Sequence, residues 1–190
     1  MTTPGSTWRN LTKVLAPAAA ILVLVVGGLY LVKISLGRAP QAPGSFELNI
    51  GNTVPEFTLS SLAGGELKLS DLKAKVLLVN FWATWCEACL IEMPSIVSLR
   101  ARYLAKGFDV ISINVDENPE SILGSSLKRL GIDFPVYLDK DGKTSELFGV
   151  HGIPLTVVMD QQRRILFVET GERDWNGEEI REQIERWLAE

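Results

Sequence analysis

Between Val14 and Val32 nineteen consecutive residues carry no charge. At about 1.5 Å of rise per residue, a helix over this run spans roughly 28 Å, close to the ~30 Å hydrocarbon core of a bilayer. It is apolar all round, with Arg9 and Lys13 before it and Lys33 and Arg38 after it. That is the pattern of a membrane span rather than of a buried core helix. It is also longer than the roughly 7–15 residues of a secretory signal's apolar region. Ala18-Ala19-Ala20 has the look of a cleavage signature but lies too early in the run. The chain is therefore divided into a cytoplasmic N-terminus (1–13), a transmembrane anchor (14–34), a Pro/Gly linker (35–45) and a folded domain (46–190), with a cleaved signal as the alternative.

Within the domain the pattern changes period several times. Phe57–Leu59 and Lys68–Leu69 flank Ala63-Gly64-Gly65, a hairpin signal. Ser70-Asp71-Leu72 reads as the capped start of one helical turn. Val76–Trp82 (VLLVNFW) is almost continuously apolar and rich in β-branched or aromatic residues, which suits a strand buried on both faces. From Cys86 the spacing becomes helical, with Leu90, Met93, Val97 and Leu104 as the expected apolar stripe and Pro94 as a kink. Phe108–Val115 is a second strand, Pro119–Leu130 a helix stopped by Gly131, and Phe134–Leu138 a short third strand. Asp139–Gly142 turns into a short helix over Thr144–Phe148, closed by Gly149. Leu155–Met159 and Arg164–Val168 alternate around a polar turn and predict an antiparallel hairpin. Asn176, with Glu179 three residues on, predicts the start of a last helix whose apolar face is Ile180, Ile184, Trp187 and Leu188. Strands alternating with helices, closed by a hairpin, predict a mixed α/β sheet.

Charge sharpens this division. The first acidic residue is Glu47, and the only basic residues before it are the four that flank the apolar run. The rest of the chain holds 15 basic against 23 acidic residues, a net charge of −8. An acidic body lacks the positive face that nucleic-acid binding needs. With the domain acidic and its cysteine chemistry suited to an oxidising compartment, the expected orientation is N-terminus inside and domain on the extracytoplasmic side of the cell membrane, as a single-pass protein.

The chemistry lies in Trp82-Ala83-Thr84-Trp85-Cys86-Glu87-Ala88-Cys89, where the buried strand turns into a helix. The chain has two cysteines and one histidine, His151. A tetrahedral zinc site wants two more Cys or His ligands than that pair supplies, so neither a metal nor a cofactor is expected. Cys86 would stand at the helix N-terminus, where free N–H groups and the helix dipole favour a thiolate. Cys89, one turn later on the same face, can attack a mixed disulfide formed at Cys86 and release the substrate. Cys86 is thus the expected attacking thiol and Cys89 the resolving one; a buried, inert pair is the alternative.

These residues resemble the thioredoxin superfamily and, within it, the TlpA/ResA-like branch. The likeness rests on VLLVNFWATWCEAC at 76–89 and GVHGIPLT at 149–156, and covers about residues 47–190. It implies a thioredoxin-like mixed sheet with flanking helices, an N-terminal hairpin, and a central αβ insertion over Asp116–Asp139, preceded by one transmembrane helix. It implies that Pro154 is cis and lies beside the cysteines, and that Ile153 offers its backbone to an extended substrate segment. Glu92 is similar to a glutamate near the thiols in this branch, where a carboxylate can raise a thiol pKa or shuttle protons. Trp85 is expected to cover the disulfide, and Glu87 to face solvent and tune substrate choice. Two positions depart from the wider family: Asn80 stands where thioredoxin has a buried Asp, and Leu155 follows the proline where Thr is frequent, which is expected to alter the peptide groove. His151 carries no assigned role.

The resemblance further implies a reductant of exported proteins. Clients would be the haem-attachment cysteines of apocytochrome c or copper-site thiols, with electrons from a membrane donor of the CcdA/DsbD type. Two other readings use the same cysteines. One is a peroxiredoxin-like peroxidase, suggested by GNTVPEFTLSSLAGGELKLSDL but opposed by Val79 and Ala83 at the places of the pattern's Pro and Thr/Ser. The other is a copper(I) chaperone.

Overall fold

The computed structural model describes residues 46–190, which form one compact unit. The expected N-terminus (1–13), anchor (14–34) and linker (35–45) lie outside the described residues. Among the described residues no helix is long and apolar enough to cross a membrane.

Seven strands form one sheet: β1 (Thr58–Ser61), β2 (Glu66–Lys68), β3 (Val76–Trp82), β4 (Phe108–Asn114), β5 (Val136–Leu138), β6 (Leu155–Asp160) and β7 (Ile165–Thr170). Their order is β2-β1-β5-β4-β3-β6-β7. β3, β4 and β5 run parallel, and β6, β7, β1 and β2 add antiparallel edges. The helices are α1 (Glu87–Tyr103), α2 (Leu123–Leu130), α3 (Lys143–Leu147) and α4 (Glu178–Ala189). This is the thioredoxin-like mixed sheet with an N-terminal hairpin. The α2–β5 unit forms the central insertion, with β5 seated between β4 and β1.

β3 explains the continuous apolar run. All seven of its residues are buried. Val76, Leu78 and Trp82 pack with α1, α4 and Trp175, while Leu77, Val79 and Phe81 pack on the opposite face with Phe148 and Val157. A strand covered on both faces has no water-facing alternation to display.

Several boundaries differ from the sequence reading, each for a local reason. The buried face of α1 is Cys89, Glu92, Met93, Ile96, Leu99 and Tyr103, not the Leu90–Met93–Val97–Leu104 stripe, of which Met93 alone is fully covered. A carboxylate on the inner face disguised the true 3.6-residue period. The helix continues past Pro94, whose ring lies on its exposed side. The span 119–130 is two pieces, a 3₁₀ turn at Pro119–Ser121 and then α2, which ends at Gly131 with φ 67°. That left-handed geometry suits glycine. The last helix is capped by Gly177 rather than Asn176, and its buried residues are Ile180, Ile184 and Leu188.

Candidate active site

Cys86 is the N-cap of α1, and its Sγ accepts the Cys89 amide at 3.2 Å. β3 delivers the chain to this point, and the Thr84 turn aims it. The Thr84 amide and hydroxyl each donate to the buried Asp116 carboxylate at 3.1 Å, which also accepts from Asn114 Nδ2 at 2.7 Å. The end of β4 thus holds the loop that leads into the helix.

Cys86 and Cys89 are joined as a disulfide, with Cα atoms 5.3 Å apart. The two sulfurs are not equivalent: Cys86 keeps 7% of its surface exposed and Cys89 none. The Ile153–Pro154 bond is cis, and the Ile153 carbonyl oxygen lies 3.7 Å from Cys86 Sγ. A disulfide sulfur has no proton to donate, so this is a close approach and not a hydrogen bond. Pro154 is buried and Ile153 half-buried at the rim.

Glu92 is on the buried face of α1 with Cys89, three residues after it and only 2% exposed. Its Oε1 accepts from Asn80 Nδ2 at 2.8 Å; Oε2 accepts from Trp175 Nε1 at 3.1 Å and the Arg173 amide at 3.3 Å. Burial pushes its pKa up to about 7, against the three hydrogen bonds that favour the ionised form and with the help of the nearby Glu172 charge. Asn80 Nδ2 also donates to Thr156 Oγ1 at 2.9 Å, because antiparallel register sets these two residues opposite each other. Asn80 Oδ1 is buried without a protein partner.

The remaining predicted residues separate. Glu87 is exposed in the first turn of α1. Trp85 is 71% exposed, so it does not pack into the core and instead presents an apolar surface next to Cys86 in the chain. Leu155 does not line a groove. It is buried on the far face of the sheet with Phe148, and Thr156 is the residue that faces Asn80. His151 is exposed. Val79 lies on that far face and Ala83 is buried, so the two peroxidase-pattern positions present only hydrocarbon.

Asp116, Thr156 and Trp175 escaped the sequence reading. Their signals were weak: one acid at a strand end, one hydroxyl in an apolar strand, one aromatic in a polar loop.

Relatives with the same pattern are known. The Redoxin family model matches residues 49–184. The thiol-disulfide oxidoreductase ResA of Bacillus thuringiensis subsp. konkukian is 31% identical over 142 residues, 75% of this chain and 78% of the relative. ResA of Geobacillus thermodenitrificans is 32% identical over 136 residues, 72% and 76% of the two chains. Among solved structures, a candidate thiol:disulfide interchange protein DsbE from Chlorobium tepidum superposes with a TM-score of 0.67 at 33% identity. It covers 74% of this chain and 99% of its own.

Proposed function

The chain belongs to the Redoxin family, among the ResA-type thiol–disulfide oxidoreductases, and from that premise we propose that it reduces disulfides of exported proteins through Cys86 and Cys89. The general reaction, thiol–disulfide exchange by a protein-disulfide oxidoreductase, comes with the family. The observation that carries the proposal is the unequal exposure of two sulfurs at a helix N-terminus, the outer one against the Ile153 carbonyl.

In the reduced protein the Cys89 amide and the α1 dipole favour a thiolate at Cys86. Its sulfur attacks one sulfur of a client disulfide. The client S–S bond breaks, a Cys86–client bond forms, and the second client sulfur leaves as a thiolate. Cys89 then loses its proton and attacks Cys86 Sγ. The mixed disulfide breaks, the Cys86–Cys89 bond forms, and the client departs with both sulfurs reduced. Two electrons pass from protein to client. Because Cys89 is fully covered, it meets only the sulfur held at Cys86. Glu92 is the buried carboxylate on the same helix face; with a pKa of about 7 it can take the Cys89 proton near neutral pH. The exposed Trp85 and Glu87 and the Ile153 backbone would receive the client segment.

The clients are haem-attachment cysteines of apocytochrome c or copper-site thiols. The disulfide is re-reduced by a membrane donor of the CcdA/DsbD type. Residues 14–34 anchor the domain on the extracytoplasmic side. Uniform hydropathy, flanking basic residues and the family likeness support it.

Trapping tests the core of the proposal. The full-length Cys89→Ser protein, expressed in cells, is expected to accumulate DTT-sensitive adducts through Cys86 with exported Cys-x-x-Cys-His proteins. Cys86→Ser is expected to form none, with exchange activity down on the order of a thousandfold. Equal trapping by both variants would reverse the role assignment, and adducts with cytosolic proteins alone would remove the exported client.

A further inference from the structure

The segment that follows β7, Glu172–Trp175, crosses the inner end of the site and touches Glu92 twice, through the Arg173 amide and the Trp175 indole N–H. It is fastened at both ends. The Trp175 amide donates to Ser95 Oγ at 2.9 Å, and Ser95 Oγ donates to the Glu92 carbonyl at 2.6 Å. The Arg173 guanidinium turns away from Glu92, pairing with Glu169 of β7 at 2.5 Å and Glu179 of α4 at 3.2 Å, and lies over the Phe167 ring at 5.3 Å. The Trp175 indole is wholly buried and meets Phe167 edge-on. Between the segment and α1 lies a surface cleft of about 280 Å³, lined by Ile91, Glu92, Ser95, Glu172, Arg173 and Asp174. Glu92 thus shares the buried face of α1 with Cys89 and also lines this cleft beside the strap.

We infer that Glu172–Trp175 is a strap that positions Glu92, with Trp175 as a positioning residue whose indole N–H fixes one carboxylate oxygen and sets the pH at which Glu92 accepts and returns the thiol's proton. The inference rests on the reading of Glu92 as proton acceptor for Cys89. From the sheet, Glu92 meets only neutral groups, Asn80 and Thr156 standing at its Oε1 side. From its own helix it shares the buried face with Cys89. From the strap it meets the Glu172 and Asp174 charges at the mouth of the cleft, and the Arg173 charge is already engaged by Glu169 and Glu179. The indole and the Arg173 amide are thus the strap's two direct supports for the ionised form, and the indole is the one a side-chain change can remove. A donor to a carboxylate stabilises the charged form, so its loss moves the proton equilibrium upward in pH.

The test is the pH dependence of Cys86 alkylation by iodoacetamide in the reduced full-length protein. In wild type, subtraction of the Glu92→Gln profile isolates the inflection that Glu92 causes. Trp175→Phe keeps most of the ring volume and removes the N–H, and is expected to move that inflection upward by roughly one unit. In the Glu92→Gln background Trp175→Phe is expected to move nothing. Should Trp175→Phe lose cooperative thermal unfolding, Ser95→Ala decides instead. It frees the strap without touching the Glu92 carboxylate and should give a smaller upward shift that Ser95→Thr reverses. A Trp175→Phe profile superimposed on wild type, or a shift that persists without Glu92, would overturn the inference while leaving exchange chemistry intact. A wild-type protein that reduces neither a client disulfide nor dithiobis(nitrobenzoate) at any pH would overturn the exchange reading and this inference together.

Discussion

On the face of the sheet that carries Leu77, Val79 and Phe81, the buried strand residues are all hydrocarbon or thioether. On the face that carries Leu78 and Trp82, four buried strand residues are polar: Asn80, Ser112, Asn114 and Thr156. The first face closes around Phe148, whose ring lies 5.1 Å from Phe81 and 5.5 Å from Phe57. The second closes around α1, and nearly every polar group on it is spoken for: Trp82 donates to Ser112 at 2.7 Å, Asn114 to Asp116, and Asn80 to both Glu92 and Thr156. Polar groups removed from water cost free energy unless hydrogen-bonded. The two faces divide the labour. One face supplies cohesion without conditions, and the other spends part of its burial on groups that position a sulfur pair and a carboxylate.

The largest blow to this comparison is Phe148→Ala. It opens a cavity in the dry face and is expected to lower unfolding free energy by about 3–5 kcal/mol in urea titration. The pH profile of Cys86 alkylation should stay where it was. A shifted profile would mean the two faces are not separable.

Glu92 sharpens the contrast through pH. Its pKa rises from 4.5 to about 7 on folding, so the native state holds this proton more tightly than the unfolded chain. The stabilising contribution is complete below about pH 4.5 and is lost as pH climbs through 7, in total roughly 3 kcal/mol. Comparing wild type with Glu92→Gln between pH 4 and 8 cancels the other carboxylates. The advantage of wild type over the variant should shrink by about that amount as pH rises. A pH-independent difference would show that Glu92 ionises normally.

The finest test uses adjacent residues of β6. Val157→Thr puts a hydroxyl into the dry face, with an expected cost of about 1–3 kcal/mol. Thr156→Ser keeps the hydroxyl that accepts from Asn80 and removes only a methyl group, and should cost about 0.5–1.5 kcal/mol. Reversed magnitudes in chemical denaturation would erase the distinction between the faces.

Much of this was visible in the order of residues. Val76–Trp82 announced a doubly covered strand because no position in it needed water. The Cys86–Cys89 spacing announced one helical turn at a helix start. The α1 stripe was misread for the opposite reason: Glu92 counts as a surface residue in any periodicity, and only a neighbouring Asn80 and Trp175 make it an interior one. Leu155 misled similarly, since one step along a strand reverses the face a side chain occupies.

What can be read from residue order is local: apolar period, turn residues, the strand-to-helix junction, and two thiols three positions apart. Those follow from backbone geometry and side-chain chemistry within a few residues. It takes the folded chain to set which sulfur is exposed, to bring Ile153 to within 3.7 Å of Cys86, and to hold a carboxylate against a strap that lies 80 residues further on. These depend on long-range strand register and on desolvation, and neither is a property of any residue until its distant neighbours have been brought against it.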